Sequence, residues 1–130
     1  MSELVRDWMT STVVAIESTT ELISAEELMA DHEIRRLVVV DEGELVGVIS
    51  ESDVRDAKSS SDGTRFNGLK VADVMADDPV TVPESATIAL AAQTMLQLKV
   101  SGLPVVNDYG DLCGVLSEAD LFRFIVERVD

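Results

Sequence analysis

The feature that most constrains this chain is an internal duplication. Gly43 to Asp53 reads GELVGVISESD and Gly110 to Asp120 reads GDLCGVLSEAD, with seven of eleven positions identical. Upstream the match continues at a spacing of 66 residues. Val5, Asp7, Met9, Val14, Ala25, Met29, Leu37, Val39 and Val40 recur as Val71, Asp73, Met75, Val80, Ala91, Met95, Leu103, Val105 and Val106. One extra residue near Tyr109 moves the spacing to 67 for the closing stretch. A repeat of this length predicts two copies of one supersecondary block, so a site in one copy should have a counterpart in the other. We divide the chain into a first copy over residues 1–57, a linker over 58–70 and a second copy over 71–130.

Each copy carries the same order of element signals. In the first, Val13 to Ile16 suits a strand, and Ser18 stands three residues before Glu21, a capping-box spacing that predicts a helix to about Asp31. Leu37 to Val40 and Leu45 to Ile49 then read as strands about a turn at Asp41 to Gly43, and Ser50 opens a second helix. The second copy reads as strand Val80 to Val82, helix Ser85 to Leu98, and strands Leu103 to Val106 and Leu112 to Leu116 about the turn Asn107 to Gly110. A helix from Glu118 closes it. The expected fold is α+β: two β-α-β-β-α repeats related by a pseudo-two-fold axis, each a short three-stranded sheet with helices on one face. A sheet covered on one side only needs a second layer, which two copies packed together supply. Ala57 to Lys70 (AKSSSDGTRFNGLK) has no periodicity and reads as the linker, with Phe66 as an anchor on the core or on a partner.

The net charge is −15, from 25 acidic and 10 basic side chains, and only three of the ten are lysine. Such a field repels nucleic acid, and no basic run is longer than Arg35-Arg36. An acidic, lysine-poor balance resembles that of proteins from salt-loving organisms, archaeal ones among them. A single cysteine, Cys113, excludes an intrachain disulfide and fits a reducing compartment. The opening residues MSELVRDWMT contain no apolar run of the signal-peptide kind, and no segment approaches a membrane span. The expectation is a soluble, cytoplasmic protein with no nucleic-acid or membrane partner.

The repeated motif is Gly-x-x-Ser-x-x-Asp: Gly47, Ser50, Asp53 and again Gly114, Ser117, Asp120. It closes a strand and opens a helix. Structurally, Ser-x-x-Asp is a capping box, in which the hydroxyl satisfies a free helix N–H and the carboxylate faces the positive end of the dipole. Functionally, the same place offers N–H groups and a hydroxyl to a phosphate, and a carboxylate to a ribose diol. A glycine there would let a ligand approach the backbone. Spacing alone does not decide between the two.

The wider context does add to this. VRDWMT and VADVM at the start of each copy, RRLVVVDEGELVGVIS in the first and SGLPVVNDYGDLCGVLS in the second resemble the cystathionine-β-synthase (CBS) domain family over nearly the whole chain. The pair resembles a complete Bateman module. The resemblance implies that Ser50 and Ser117 contact phosphate or ribose and that Asp53 and Asp120 hold ribose hydroxyls, in a cleft between the copies. It also implies an adenine pocket lined by Val13 and Val14 with Val38 and Val39, and a second lined by Pro79 and Val80 with Pro104 and Val105. Basic residues before the middle strand hold nucleotide phosphates in the CBS subunit of the energy-sensing kinase, which carries that role onto Arg36 and, less directly, Arg35. Their counterparts are Ser101 and Gly102, so two unequal sites are expected. Val38 replaces the proline that the family often has, which stands in the second copy as Pro104. The alternative for the arginines is a surface pair balanced by Asp31, Glu33 or Asp41.

Other residues attract blander readings. His32 reads as a solvated helix end, Cys113 as a small core residue matching Val46, and Trp8 as a packing residue at a boundary of repeat or dimer. Arg55 and Arg123 read as surface salt-bridge partners, and Asp77-Asp78 as a solvated loop rather than a metal site. The resemblance implies a stand-alone regulatory module for an adenine nucleotide (AMP, ADP or ATP), with S-adenosylmethionine or NAD as alternatives, that signals to another polypeptide. It also implies a homodimer, two pairs forming a flat disc. The apolar C-terminal stretch Leu121, Phe122, Phe124, Ile125 and Val129 gives that interface a physical basis. A nucleotide-independent assembly module is the second class. Catalysis is not expected: there is one histidine, one cysteine, no phosphate-binding glycine loop and no metal-ligand spacing.

Overall fold

A computed structural model of the chain describes residues 3–60 and 66–128. Val129 and the middle of the linker lie outside them. The chain forms two compact units, Val14–Pro79 and Met1–Val13 with Val80–Asp130. Each is a small mixed α+β unit with its own sheet and its own core.

In the Val14–Pro79 unit the order is β1 (Ala15–Glu17), α1 (Leu22–His32), β2 (Arg36–Asp41), β3 (Glu44–Ser50), α2 (Glu51–Ser60), α3 (Val71–Val74) and β4 (Ala76–Asp77). The sheet runs β1-β2-β3-β4, with β1 parallel to β2 and the other pairings antiparallel. Strict alternation along β2 puts Leu37 and Val39 on the core face, and both are almost fully buried. They join Ile16, Leu22, Ala25, Met29, Ile49, Val54 and Val71. Phe66 belongs to the same core, with the Lys58 ammonium 5.5 Å from its ring centre. The linker phenylalanine is therefore an anchor on its own unit.

The other unit has β5 (Val82–Pro83), α4 (Ile88–Leu98), β6 (Gly102–Val106), β7 (Leu112–Ser117) and α5 (Glu118–Arg128), in a sheet ordered β5-β6-β7. Its core includes Val82, Ile88, Ala91, Met95, Leu103, Val105 and Leu116. β2–β3 and β6–β7 both slip register at the equivalent place, between Val39 and Val40 and between Val105 and Val106. Gly43 and Gly110 turn the two hairpins at φ +85° and +83°, a conformation that costs glycine little.

The sequence repeats and the packing units divide the chain differently. Val5–Asp7, a single 3-10 turn, belongs with the second copy: its Val5 and Trp8 enter the core around Leu103. Val5 N–H donates to the Ala86 carbonyl at 2.9 Å, and Thr10 bridges Val115 in antiparallel fashion. The equivalent segment α3–β4 completes the first unit, where Ala76 and Asp77 pair with Val48 and Gly47. Each opening segment thus pairs with the last strand of the other copy: Ala76 and Asp77 with β3, which precedes them, and Thr10 with β7, which follows it.

Two helix starts differ from the sequence reading. α1 begins at Leu22, with Glu21 as an N-cap that makes no side-chain bond. Ser18 does not cap it: its hydroxyl donates to the Asp41 carboxylate and its N–H to the Val40 carbonyl. α4 begins at Ile88 rather than near Ser85, because Thr87 is the cap; its hydroxyl accepts from Leu90 N–H at 3.1 Å.

Candidate functional site

Both copies of the Ser-x-x-Asp motif fold as reciprocal capping boxes. Ser50 N–H donates to Asp53 Oδ2 at 2.9 Å, and Asp53 N–H donates to Ser50 Oγ at 3.1 Å. In the other unit Ser117 N–H donates to Asp120 Oδ2 at 2.9 Å and Asp120 N–H to Ser117 Oγ at 3.3 Å. The first helical N–H is also satisfied, since Glu51 N–H donates to the Arg35 carbonyl at 2.8 Å and Glu118 N–H to that of Ser101 at 3.1 Å. At each helix end the N–H groups of the cap, first and third positions are thus already in use.

The motif glycines serve the sheet rather than ligand approach. A Cβ on Gly47 would lie 2.7 Å from Met75 Sδ and 2.8 Å from the Ala76 carbonyl. On Gly114 it would lie 2.6 Å from Met9 Sδ and 3.0 Å from the Thr10 carbonyl. Each glycine is the gap into which an opening segment's methionine fits.

Register brings part of the expected site together. Arg36 stands directly across from Ser50, and Val38 from Val48, while Ala15 is the parallel partner of Val38. Directly paired residues share a face, so Arg36, Val38 and Ser50 lie together on the side opposite Leu37 and Val39. Arg36 is half-buried and Val38 buried. Arg35, one residue on, is exposed, and no ion pair joins it to a described residue. Val14 packs against the core with Ile16, and Val39 is wholly buried in it. The residue that register sets beside Val38 is Ala15, not Val14. In the other unit Gly102 is the partner of Ser117, and Pro104 is buried on the equivalent face. Val80 lies before β5 and is 47% exposed. At the register position of Arg36, then, the second copy has no side chain.

The two carboxylates have different surroundings. Asp53 is half-buried, and among the described residues its carboxylate accepts from Ser50 N–H alone. Asp120 is 3% exposed and crowded by donors. It also accepts from Ser117 Oγ at 3.1 Å and Thr10 Oγ1 at 3.3 Å, and Arg123 Nη1 is 3.4 Å away. Arg123 is in turn fixed by a 2.7 Å bond to the Trp8 carbonyl and lies 5.7 Å from the Trp8 ring centre. Trp8 meets Phe124 edge-on at 5.1 Å. Arg123 is thus a tie between α5 and the N-terminal segment. Thr10 is the site neighbour that the sequence does not announce, since its counterpart is Ala76.

The remaining candidates are peripheral. Arg55 is exposed and 3.9 Å from Glu51. His32 ends α1 at the surface. Asp77 and Asp78 are exposed, and no cluster of three or more metal-ligating side chains occurs among the described residues. Cys113 donates to Glu84 Oε2 at 3.2 Å; burial, then that hydrogen bond, then the glutamate charge raise its thiol to about 11. No helix of the described residues is long and apolar enough to cross a membrane.

Comparison with known proteins identifies the fold and the family. The family model for the CBS domain matches residues 5–60 and again 71–127. A CBS domain-containing protein of Dictyostelium discoideum is 32% identical over 139 aligned positions, covering all of this chain and 96% of that protein. Other curated relatives are longer; the chain spans 47% of one and 22% of another. The crystal structure of the CBS domain pair of protein MJ0100, in complex with 5′-methylthioadenosine and S-adenosyl-L-methionine, superposes with a TM-score of 0.86 at 27% identity. It covers 96% of this chain and 97% of that one. That of CBSX2 in complex with AMP superposes with a TM-score of 0.84 at 27% identity, over 99% and 100% of the two chains. With two tandem matches spanning nearly its full length, this chain belongs to the CBS-domain family.

Proposed function

We propose that the chain is a regulatory module, not a catalyst, that binds an adenosine-bearing ligand and passes the binding event to another protein. The observation that carries this reading is the strand register that sets Arg36 across from Ser50, beside a carboxylate, Asp53, with acceptor capacity to spare. A guanidinium for phosphate and a carboxylate for a ribose diol are the two groups an adenine nucleotide requires. The similarity to CBS pairs solved with AMP and with S-adenosyl-L-methionine supports adenosine as the common element. AMP, ADP and ATP fit the arginine best; S-adenosylmethionine and NAD are the alternatives.

The two sites are unequal in this reading. Asp53 and Arg36 form the tighter one. Asp120 is the weaker, because a diol there competes with Thr10 and Arg123, and Gly102 offers no cation. Calorimetry with AMP, ADP, ATP, NAD and S-adenosylmethionine, in low and molar KCl, tests this. Asp53→Ala should weaken the tighter site about ten- to hundredfold, since a hydrogen bond to a charged group is worth roughly 1.5–3 kcal/mol. Asp120→Ala should leave that site's affinity unchanged. No saturable binding of any of the five would overturn the reading.

A second reading, self-association into a homodimer, is supported by a different observation. α5 exposes Phe122, Ile125 and Val126 at 59%, 53% and 70% of their surface. Residues at i, i+3 and i+4 form one stripe, and monomers seldom expose such a patch. Sedimentation with and without nucleotide separates a ligand-independent dimer from a ligand-driven one.

A further inference from the structure

The second unit holds its opening segment by side chains that the first unit does not share. Glu3 to Thr10 is tied along its length to α5. Thr10 Oγ1 donates to Asp120 Oδ1 at 3.3 Å, and Arg123 donates to the Trp8 carbonyl at 2.7 Å. The Trp8 ring meets Phe124 edge-on, and Arg128 pairs with Glu3. In the duplication, Val74, Ala76, Asp56 and Ala57 stand where this unit has Trp8, Thr10, Arg123 and Phe124. The positions that join segment to helix thus differ together, while the backbone beneath them is the same: Thr10 pairs with Val115 as Ala76 pairs with Val48.

The ties meet at one carboxylate, and its two oxygens divide the work. Asp120 Oδ2 accepts the Ser117 N–H and hydroxyl, as a capping carboxylate does. Oδ1 faces Thr10 Oγ1 and, at 3.4 Å, Arg123 Nη1. A ribose diol held by both oxygens of a carboxylate needs Oδ1 as well. With Asp120 only 3% exposed, the diol reaches that atom by displacing what covers it. Asp53, at the same place in the first unit, is half-buried and accepts from Ser50 N–H alone among the described residues.

We propose that Asp120 is a latch for which the opening segment and a ligand compete, so that filling the second site releases Thr10 and Arg123 and loosens residues 3–10 from α5. Thr10 and Arg123 are positioning residues in this device, acting on the ligand through Asp120. Such coupling is reciprocal: whatever the segment subtracts from ligand affinity, the ligand subtracts from the segment's hold. The first unit, with Ala76 and Asp56 at those places, takes a ligand without that cost.

The latch rests on the ligand-binding reading above, and calorimetry combined with two reporters of the segment distinguishes the two failures. Trp8 is the only tryptophan in the chain and is buried against Phe124 and Arg123, so its emission follows the segment. The amides of Val5, Arg6 and Thr10, which donate to Ala86, Glu84 and Val115, follow it by hydrogen exchange. The titrants are AMP, ADP, ATP, NAD and S-adenosylmethionine, all of which carry the ribose diol. Filling the second site should move Trp8 emission to longer wavelength and speed exchange of those amides. Asp120→Ala should produce both changes with no ligand added. Thr10→Val and Arg123→Leu should each tighten the second site about three- to tenfold, the worth of one modest hydrogen bond. The reverse transplant, Ala76→Thr, should weaken the Asp53 site by a similar factor, and it decides the matter if the other variants do not fold. Weaker binding in Arg123→Leu overturns the latch by making Arg123 a ligand contact. Binding at both sites with emission and exchange unmoved overturns it and leaves ligand binding standing. Binding at the Asp53 site alone, in the native chain and in Thr10→Val with Arg123→Leu, does the same. No saturable binding of any of the five overturns both.

Discussion

At the scale of single residues, the motif glycines and carboxylates have consequences that separate packing from ligand binding. Gly47→Ala drives a methyl into Met75 and the Ala76 carbonyl, so it should destabilise the protein by about 1–3 kcal/mol in urea unfolding. Were the glycine kept only for a ligand, apo stability would not move. Asp120→Asn should cost about 1–3 kcal/mol, because the buried carboxylate gives up the charge that holds the Ser117 and Thr10 donors and the Arg123 guanidinium. Asp53→Asn, at a half-buried cap with one acceptor bond, should cost about 1 kcal/mol or less in the same assay. Cys113 should be unreactive near neutral pH. With its thiol raised to about 11, the thiolate fraction at pH 8 is on the order of a hundredfold below that of a free cysteine. Alkylation should therefore accelerate up to about pH 11, and Glu84→Gln, which removes the adjoining charge, should speed it at pH 8.

At the scale of elements, the two long helices of the repeat are the same length but capped differently, which makes them internal controls. α4 has the Thr87 hydroxyl on Leu90 N–H, whereas α1 begins at Glu21 with no side-chain bond. Thr87→Ala should cost about 1 kcal/mol, and Glu21→Asp should stabilise by up to about the same amount, both read from denaturation midpoints. The reason sequence reading put the α1 cap at Ser18 is instructive. Ser-x-x-Glu is a correct local signal, but Asp41 on β2 and the Val40 carbonyl compete for the same serine, and they win by closing the β1–β2 pairing. A short-range pattern lost to a contact 23 positions away.

At the scale of the whole molecule, charge sets the conditions. With 25 acidic side chains against 10 basic ones, compaction brings like charges together. Raising KCl from about 0.01 M to about 1 M shortens the screening length from about 30 Å to about 3 Å, which should raise the thermal midpoint steadily. A midpoint independent of salt would argue that the acidic residues are locally balanced. Under the proposed function, the same screening should strengthen an apolar contact between two copies and weaken any phosphate contact of Arg36, so dimerisation and nucleotide affinity should respond to salt in opposite directions.

The helix α3 and the fourth strand β4 were not legible in the chain itself, whereas the duplication, the β-α-β-β-α order within each copy, the hairpin glycines and the family were. They rest on short-range patterns: β-branched alternation along β2 and β6, helical spacing of Leu22, Ala25 and Met29, and the Ser-x-x-Asp boxes. The register that sets Arg36 across from Ser50 was not legible there: continued from Asp41 and Glu44 the hairpin would put Ile49 opposite Arg36, and the slip between Val39 and Val40 moves the pairing by one residue. What tertiary structure alone decided was which copy each opening segment joins. Val5, Asp7 and Met9 are identical to Val71, Asp73 and Met75, and Gly47 and Gly114 leave the same gap, so no local preference distinguishes the two pairings. Only where the chain can reach settles it, placing Met75 on Gly47 and Met9 on Gly114. That placement sets Thr10 on Asp120 and, through the Trp8 carbonyl, ties down Arg123 beside it, whereas Asp53 accepts from Ser50 N–H alone among the described residues, so the difference between two nearly identical motifs arises from an opening segment distant in sequence.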